Sequence, residues 1–447
     1  MLFVLCCVQL LLMFDSALVT VLPALGHDLG VGQDQLPWAL AAYSVAYGGL
    51  LITAGRIGDL TGHRRTLLTG LTVFVLASLA CGLADGPPMF FAARALQGVG
   101  AALSGPSAFA LVTGRNQEGD RRNRALGIWS AVGSGGMLAG SALGGLVADV
   151  AGWRWVFLAN APLGVVLLAA LWTWAPRPEA ATAPAVLGPV DVAGAVALTG
   201  GAVALVAAAT LAVPVLPAAL LGIVLLAAFV RVERRAAAPM VRLSLLANPY
   251  VRVANLFTLF GVPTGAALSW FGTLYLRNVL GASALEAGLG MVPMAIVIVL
   301  LSSRTGPLVR RFGVRGMFLA CCLANGLALL CMSFLAPDGS YGVNVLPGVI
   351  LMGMSAGLSF APSLIAASTG VPPEEQGVAG GMQATSSQLG AAVGLALLNT
   401  AAAVPVTRGP VALTAAYSQG LRWALVLPVV MALIALTLPR RRQPLGR

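Results

Sequence analysis

The chain has 447 residues, of which 58% are hydrophobic and only 9% are charged, and its mean hydropathy is +0.91. A soluble protein keeps about a quarter of its residues charged, so this composition excludes a water-soluble globular fold. The net charge of +11 comes from arginines in short stretches between apolar runs, and no basic domain exists that would bind nucleic acid. The composition predicts an all-α integral membrane protein.

Metal, cofactor and nucleotide sites are not expected. The chain has two histidines, and its six cysteines lie within apolar runs at spacings that match neither a zinc site nor a disulfide framework. It has no lysine, so a phosphate-binding GxxxxGK[ST] loop cannot exist. No HExxH motif, paired carboxylates or Ser–His pair occurs in the apolar runs, which disfavours a membrane-embedded enzyme.

Fourteen apolar runs approach the roughly 20 residues that a helix needs to cross a bilayer. They lie at 2–25, 36–56, 66–84, 89–113, 126–148, 154–175, 190–211, 216–232, 250–276, 286–303, 316–336, 343–368, 377–401 and 420–438. The first run lacks the basic start and the cleavage site of a signal peptide, so we interpret it as a span. Its abrupt beginning raises the question of whether the native start codon is Met1.

The arginines orient these spans. With the N-terminus inside, twenty-one arginines lie in inside loops or the tail, four lie in outside loops, and Arg94 lies in a span. This bias follows the positive-inside rule and predicts that both chain ends are cytoplasmic.

The sequence contains an internal repeat. The stretch "GRIGDLTGHRRT" at 55–66 resembles "GPLVRRFGVRGMFL", which begins at position 306. Three residues recur at an offset of 251 positions: Gly55 and Gly306, Gly62 and Gly313, and Arg64 and Arg315. We therefore predict two six-helix halves, 1–176 and 249–447, joined by a two-helix insert with its linkers at 177–248. Parallel repeats of this kind are typical of secondary transporters.

Seven motifs, in this order and spacing, resemble the major facilitator superfamily and its fourteen-span drug:proton antiporter branch. They are "FDSALVTVLPAL" at 14–25, "GRIGDLTGHRR" at 55–65, "RALQGVGAA" at 94–102, "GSGGMLAGSALGG" at 133–145, "WRWVFLANAPLG" at 153–164, "YLRNVLGASALEAGLGMVP" at 275–293 and "VPPEEQGVAGGMQATSSQLG" at 371–390. Three positions depart from the family pattern. Ser141 replaces a proline, and Leu60 and His63 replace residues that are commonly basic, which we expect to weaken a charged contact at that loop.

The loop at 55–66 is predicted to be a breakable cytoplasmic latch between the two halves. Glycine lets two helix ends approach and turn, which gives roles to Gly55 and Gly62. Asp59 is suited to accept from the N–H groups of a helix N-terminus or from an arginine. Arg64 and Arg65 are suited to anchor at the anionic inner leaflet. A purely topogenic basic loop is the alternative, but it needs no aspartate and no fixed glycines.

Asp15 and Arg94 are the predicted proton-coupling residues. Asp15 lies within the first span, where a charge costs about 3 kcal/mol, so we expect it to face a cavity and exchange protons. Arg94 is expected either to sense the charge of Asp15 or to hold Gln97 and backbone carbonyls. For both residues a static structural role is the alternative.

The resemblance implies two further sets of residues. An antiport motif with small-residue packing is implied at Gly136, Gly140, Gly144 and Gly145. Substrate contacts are implied at Phe14, Asp15, Gln97, Phe109, Trp129, Trp270, Met294, Met354, Phe360 and Gln383.

Together these features predict a proton-coupled antiporter that exports bulky amphipathic drugs or antibiotics by alternating access. The expected setting is a bacterial cytoplasmic membrane, with protons, the lipid bilayer and a small-molecule drug as partners and a monomeric chain. The alternative with the same fold is a proton-coupled uptake symporter for a metabolite.

The predicted topology is tested with reporter fusions. A reporter after Arg447 is expected to report the cytoplasm, and one in the loop at Asp338 the opposite side, because the arginine bias and the even span count require it. Reporters that agree would contradict the fourteen-span arrangement.

Overall fold

The computed structural model describes residues 1–14, 18–31, 36–114, 119–174, 192–210, 215–235, 243–282, 284–302, 304–401 and 409–439. Over these residues it is all-helical, which confirms the predicted class. The helices are α1 Leu2–Met13, α2 Leu18–Asp28, α3 Leu36–Thr61, α4 His63–Gly82, α5 Pro87–Gly114, α6 Asp120–Ala151, α7 Arg154–Leu158, α8 Asn160–Trp174, α9 Val192–Thr210, α10 Val215–Glu233, α11 Pro249–Asn278, α12 Ala284–Ser302, α13 Thr305–Met332, α14 Leu346–Ser368, α15 Gln376–Ala401, α16 Pro410–Ala424 and α17 Val426–Leu436.

Seven helical stretches of the described residues are long and apolar enough to cross a membrane. They are His63–Gly82, Pro87–Gly114, Arg154–Thr173, Pro249–Asn278, Thr305–Met332, Tyr341–Ser368 and Pro410–Leu436. Shorter apolar helices include α1 and Glu286–Ser302. The count of fourteen spans therefore stays a prediction.

The chain forms two compact units. The first contains residues 1–117, 135–248 and 370–388, and the second contains residues 118–134, 249–369 and 389–447. Residues 370–388 belong to the first unit and residues 118–134 to the second, although each range is distant in sequence from most of its unit. The three-part division at 176 and 248 stays a prediction.

Glycines set the helix packing of the first unit. A Cβ on Gly100 of α5 would lie 2.5 Å from the backbone nitrogen of Phe74 on α4, and one on Gly98 would lie 2.5 Å from the Tyr43 carbonyl on α3. No real side chain tolerates such distances to backbone, so α5 contacts both neighbours through its own backbone. At one end of α5, Phe90 meets Trp153 edge to face with ring centroids 6.0 Å apart.

The two insert helices pack together in the same way. A Cβ on Gly201 of α9 would lie 2.9 Å from Leu226, and one on Gly222 of α10 would lie 2.7 Å from Leu205. The α9 helix also lies against α3, where Gly49 leaves room for Val203. Side-chain packing against α3 thus holds the two insert helices within the first unit.

The second unit is built around α11, α13 and α14. Phe257 and Phe318 stack with ring centroids 4.0 Å apart. Nearby, the buried Asn325 amide donates to Thr264 Oγ1 at 2.7 Å and to Ser355 Oγ at 3.2 Å. Buried polar groups require such partners in an apolar interior, and here they tie three helices together.

Helix packing through Gly100 is testable by thermal unfolding. Gly100→Ala is expected to destabilise the protein by about 1–3 kcal/mol, because the new methyl group would meet backbone of α4. Gly105→Ala is the matched control on the same helix, since its methyl group would meet only Tyr47 Oη, at 3.6 Å. Equal unfolding temperatures for the two variants in the same detergent would contradict this packing.

Candidate functional site

The site begins with one buried carboxylate. Asp59, near the end of α3, accepts hydrogen bonds from the backbone N–H groups of Gly377 and Val378, each at 2.9 Å. These groups belong to the first turn of α15, where backbone N–H groups have no helical acceptor and the helix dipole is positive. Of the two partners predicted for Asp59, the helix N-terminus is therefore the observed one.

Gly55 and Gly62 have the local roles that the sequence predicted. A Cβ on Gly55 would lie 2.3 Å from the Gly377 carbonyl oxygen, so only glycine allows α3 to approach α15 here. Gly62 has φ +96°, a left-handed conformation that side chains rarely adopt, and it separates α3 from α4. The close approach at Gly55 and the sharp turn at Gly62 together place Asp59 at the N-terminus of α15.

His63, the first residue of α4, contacts the same carboxylate. Its Nε2 lies 3.0 Å from Asp59 Oδ1, and the two side chains are 17% and 1% exposed. The imidazole thus makes the contact that a basic residue makes in the family pattern, and the expectation that it does so more weakly stays a prediction. Leu60, one residue after the aspartate, offers no charge.

Arg64 binds the end of another helix. Its Nη2 donates to the Trp172 carbonyl at 2.9 Å, in the last turn of α8, and its guanidinium lies 5.5 Å from the centre of the Trp172 ring. A cation at a helix C-terminus is favourable because the dipole is negative there. Arg65 is exposed, as its predicted role at the inner leaflet requires.

The second copy of the turn repeats this architecture. Gly313 has φ +68°, as Gly62 does in the first copy, and it interrupts α13. Arg315 donates to the Leu438 carbonyl at 2.8 Å, just after α17 ends, as Arg64 does at the end of α8. The sequence offset of 251 positions is therefore matched by conformation and by hydrogen bonding.

The chemistry differs at the position that corresponds to Asp59. That position is Arg310, whose Nη1 lies 2.8 Å from Oδ2 of Asp120 in the first turn of α6. Here the acid is on the helix and the base is on the turn. Gly306 would place a Cβ 3.8 Å from the Arg124 backbone, a looser approach than at Gly55. Both side chains of the pair are about half exposed.

Arg94 is completely buried in the first unit. Its Nε donates to the Ala39 carbonyl at 3.0 Å, and its Nη1 donates to Gln97 Oε1 at 2.6 Å. Gln97 passes the network on by donating to Ser78 Oγ at 2.8 Å. The guanidinium also lies 4.6 Å from the centre of the Tyr43 ring.

These contacts match the predicted role in which Arg94 holds Gln97 and a backbone carbonyl. A buried charge is costly unless it is hydrogen-bonded, and the carbonyl, the amide and the aromatic face supply compensation here. Ser78 and Tyr43 were not found from the sequence, because nothing local marks them as partners. Asp15 lies outside the described residues, so its place beside Arg94 stays a prediction.

The glycines of the implied antiport motif lie on α6. Gly136 is buried, and a Cβ there would lie 3.0 Å from Leu10 Cδ1 and 3.2 Å from Met13 Cβ, which supports close packing against α1. Gly140 is buried as well. The packing of Gly144 and Gly145 lies outside the described residues. A gating role for the four glycines stays a prediction.

The implied substrate residues divide by exposure. In the first unit Gln97, Phe109 and Gln383 are buried and Phe14 is half-buried. In the second unit Trp129 is buried, Met294 is half-buried, and three are exposed: Trp270, Met354 and Phe360. Exposed apolar side chains suit either a substrate or lipid, so substrate contact stays a prediction for the whole set.

A second charged cluster lies at the opposite end of the first unit, beyond the predicted first span. Asp28 accepts from Trp153 Nε1 at 3.0 Å and pairs with Arg154, which also donates to the Ala84 carbonyl at 3.2 Å. Hydrogen bonds from Trp153 and Arg154 lower the pKa of Asp28, so its carboxylate stays charged at neutral pH. The cluster ties the end of α2 to the start of α7.

Comparison with known families agrees with these features. A model of the Major Facilitator Superfamily matches residues 4–395. The chain belongs to this superfamily. The two copies of the glycine-containing turn, each of which binds the end of another helix, are thus found in a member of this superfamily.

Similar members are described as antibiotic exporters and resistance proteins. The chain is 36% identical to the cephamycin export protein CmcT of Amycolatopsis lactamdurans, over 97% of this chain and 91% of that protein. It is 35% identical to the puromycin resistance protein pur8 of Streptomyces alboniger, over 88% and 79% of the two chains. The fold resembles that of the human organic anion transporter MFSD10, with TM-score 0.69, 16% identity, and coverage of 95% and 97%.

Two independent substitutions test the contact between Asp59 and α15. Asp59→Asn removes the charge and one acceptor, and Gly55→Ala pushes α3 away from the Gly377 carbonyl. Each is expected to speed hydrogen exchange at Gly377 and Val378 about tenfold, since a charge-assisted hydrogen bond contributes about 1.5–3 kcal/mol. Asp338→Asn is the control for the same chemical change in an exposed loop. Unchanged exchange in both variants would contradict the contact.

Proposed function

We propose that this protein is a proton-coupled antiporter that exports antibiotics or other bulky amphipathic drugs across a bacterial cytoplasmic membrane. The observation that carries the proposal is the Asp59 contact with the N-terminus of α15. It joins residues more than 300 positions apart in a superfamily member whose relatives include a named cephamycin exporter. A contact made by one carboxylate and two N–H groups is strong enough to bias a conformation and weak enough to break in each cycle.

Alternating access requires such contacts to form and break. A bias of 1–3 kcal/mol is typical of coupled conformational changes, and the free energy of two charge-assisted hydrogen bonds is of that order. In the proposed cycle the latch is closed when the cavity faces outward, and it opens to admit drug from the cytoplasm. Arg94, held by the Ala39 carbonyl and Gln97, supplies a fixed positive charge inside the first unit.

Proton entry supplies the driving force in this proposal. One charge crossing about 150 mV provides roughly 3.5 kcal/mol, enough for about a 300-fold drug gradient. Asp15 is the proposed carrier, because it is the only acid well inside a predicted span. The low density of polar groups in the spans suits amphipathic drugs better than a polar metabolite. We expect no catalytic activity and no cofactor, and we propose a monomer.

The test is transport by inside-out vesicles with an imposed pH gradient. Uptake of a cationic dye or a neutral antibiotic is expected to need the gradient, to stop with an uncoupler, and to proceed without ATP. Asp15→Asn is expected to abolish coupled uptake at normal membrane abundance, because the amide cannot bind and release a proton. Asp338→Asn is the matched control and is expected to transport normally.

Abundance separates a proton carrier from a static partner of Arg94. If Asp15 only neutralises Arg94, Asp15→Asn strands a buried charge and protein levels fall, and adding Arg94→Gln restores them. Full export by Asp15→Asn at normal abundance would exclude this residue as the carrier. Uptake that requires ATP and persists with the uncoupler would exclude the proton-coupled mechanism.

A further inference from the structure

The latch contains a histidine beside its carboxylate. His63 Nε2 is 3.0 Å from Asp59 Oδ1, the oxygen that also accepts from Gly377. Histidine is the residue type that gains and loses a proton between about pH 5 and 8. The corresponding turn in the second half joins Arg310 to Asp120 and has no histidine in its sequence.

The other ring nitrogen of His63 and a hydroxyl group of α5 both lie close to Gly58. His63 Nδ1 and Ser107 Oγ lie 2.7 Å and 3.0 Å from the point that a Cβ of Gly58 would occupy. Both atoms are buried, and neither has a hydrogen-bond partner within the part of the chain that is described. A hydroxyl can donate to the neutral nitrogen or accept from the protonated one. Ser107 Oγ is therefore of a chemical type that suits Nδ1 in either protonation state.

We propose that His63 is a proton-binding residue of the transport cycle, and that a proton from the cytoplasm at this residue closes the Asp59 latch. The inference rests on the proposed exporter cycle. Protonated His63 attracts the Asp59 carboxylate and holds it at the N-terminus of α15. Neutral His63 leaves the carboxylate with only dipolar partners, so the stabilisation is present at low pH and is lost as the pH rises through the range where histidine titrates.

Within the described part of the chain, the helices and turn around His63 carry other charged groups. The α3 helix adds Arg56, α4 adds Arg64 and Arg65, and the turn before α15, which packs against α3, adds Glu374 and Glu375. The α5 helix presents the neutral Ser107 at this point. None of these five charged groups is recorded in contact with the imidazole among the described residues, whereas Asp59 is. Its carboxylate is nearly inaccessible to water, which strengthens its interaction with a charged imidazole.

The consequence for transport is a dependence on cytoplasmic pH. An acidified cytoplasm would hold the carrier closed on that side and would limit further proton entry. An alkaline cytoplasm would loosen the latch and let drug load. Asp15 and His63 would then bind protons from opposite sides of the membrane, one driving the cycle and the other regulating it.

The test is hydrogen exchange at Gly377 and Val378, the two amides that Asp59 accepts from, in nanodiscs without substrate between about pH 6 and 8. Each measurement is divided by that of His63→Arg, which stays charged, so the intrinsic pH dependence of exchange cancels. The wild-type protein is expected to match His63→Arg at the acidic end and to exchange about fivefold to tenfold faster at the alkaline end. His63→Gln is expected to exchange faster than His63→Arg by a constant factor.

A wild-type to His63→Arg ratio that is constant over this range would overturn the proposal. If His63→Arg does not fold, the ratio of wild type to His63→Gln serves equally, because it must then change with pH in the same sense, from well below one at the acidic end to about one at the alkaline end. The measurement needs neither drug nor a proton gradient. A constant ratio with normal export therefore rejects only the role of His63, and a changing ratio without export rejects only the proposed function.

Discussion

The Asp59 carboxylate at the N-terminus of α15 is the interaction around which this end of the molecule is arranged. A carboxylate that is almost fully buried is costly unless hydrogen bonds replace its water, and two backbone N–H groups and an imidazole do so here. The geometry leaves no space for side chains nearby. A Cβ on Gly377 would lie 2.6 Å from Asp59 Oδ1, and Gly55 and Gly58 are equally confined. Three glycines are thus needed to bring one acid to one helix end.

The duplicated turn shows how the same backbone accommodates opposite chemistry. Both copies break a helix at a left-handed glycine, and both use an arginine to bind the carbonyls at another helix end. At the remaining position, the first copy has a short acid with a close glycine contact. The second has a long base, Arg310, with a looser approach at Gly306. The longer arginine side chain spans the wider gap between α13 and α6, so the copy with the longer side chain also has the larger helix separation.

Local patterns predicted the class of protein, the repeat and the residues of the turn. Hydropathy and arginine placement are properties of short windows, and the glycine and aspartate spacing needs only one loop to be interpreted. The helix N-terminus was one of two partners expected for Asp59, and the structure decides between them. Arg310 was accessible through its offset of 251 positions from Asp59, but its opposite charge conceals the correspondence, and the offset does not lead to its partner Asp120.

The partners of the functional side chains were not predictable in the same way. Arg94 binds Ala39, which is 55 positions away, and Asp59 binds Gly377, which is 318 positions away. Neither Ala39 nor Ser78 has a side chain that marks it as part of a site, because the contact uses a backbone carbonyl in one case and a common hydroxyl in the other. Such contacts depend on how helices pack, and the packing depends on which glycine faces which helix.

The contacts at the two turns also differ in their exposure to solvent, so their electrostatic interactions differ in strength. The Asp120–Arg310 pair is about half exposed, so salt screens it and its net contribution to stability is small. The Asp59 contact is shielded from water, so each charge near it has a larger effect. A histidine placed beside the exposed pair would change little on titration. Placed beside the buried carboxylate, the same residue is positioned to change the strength of the contact, because burial prevents water from compensating for the lost proton.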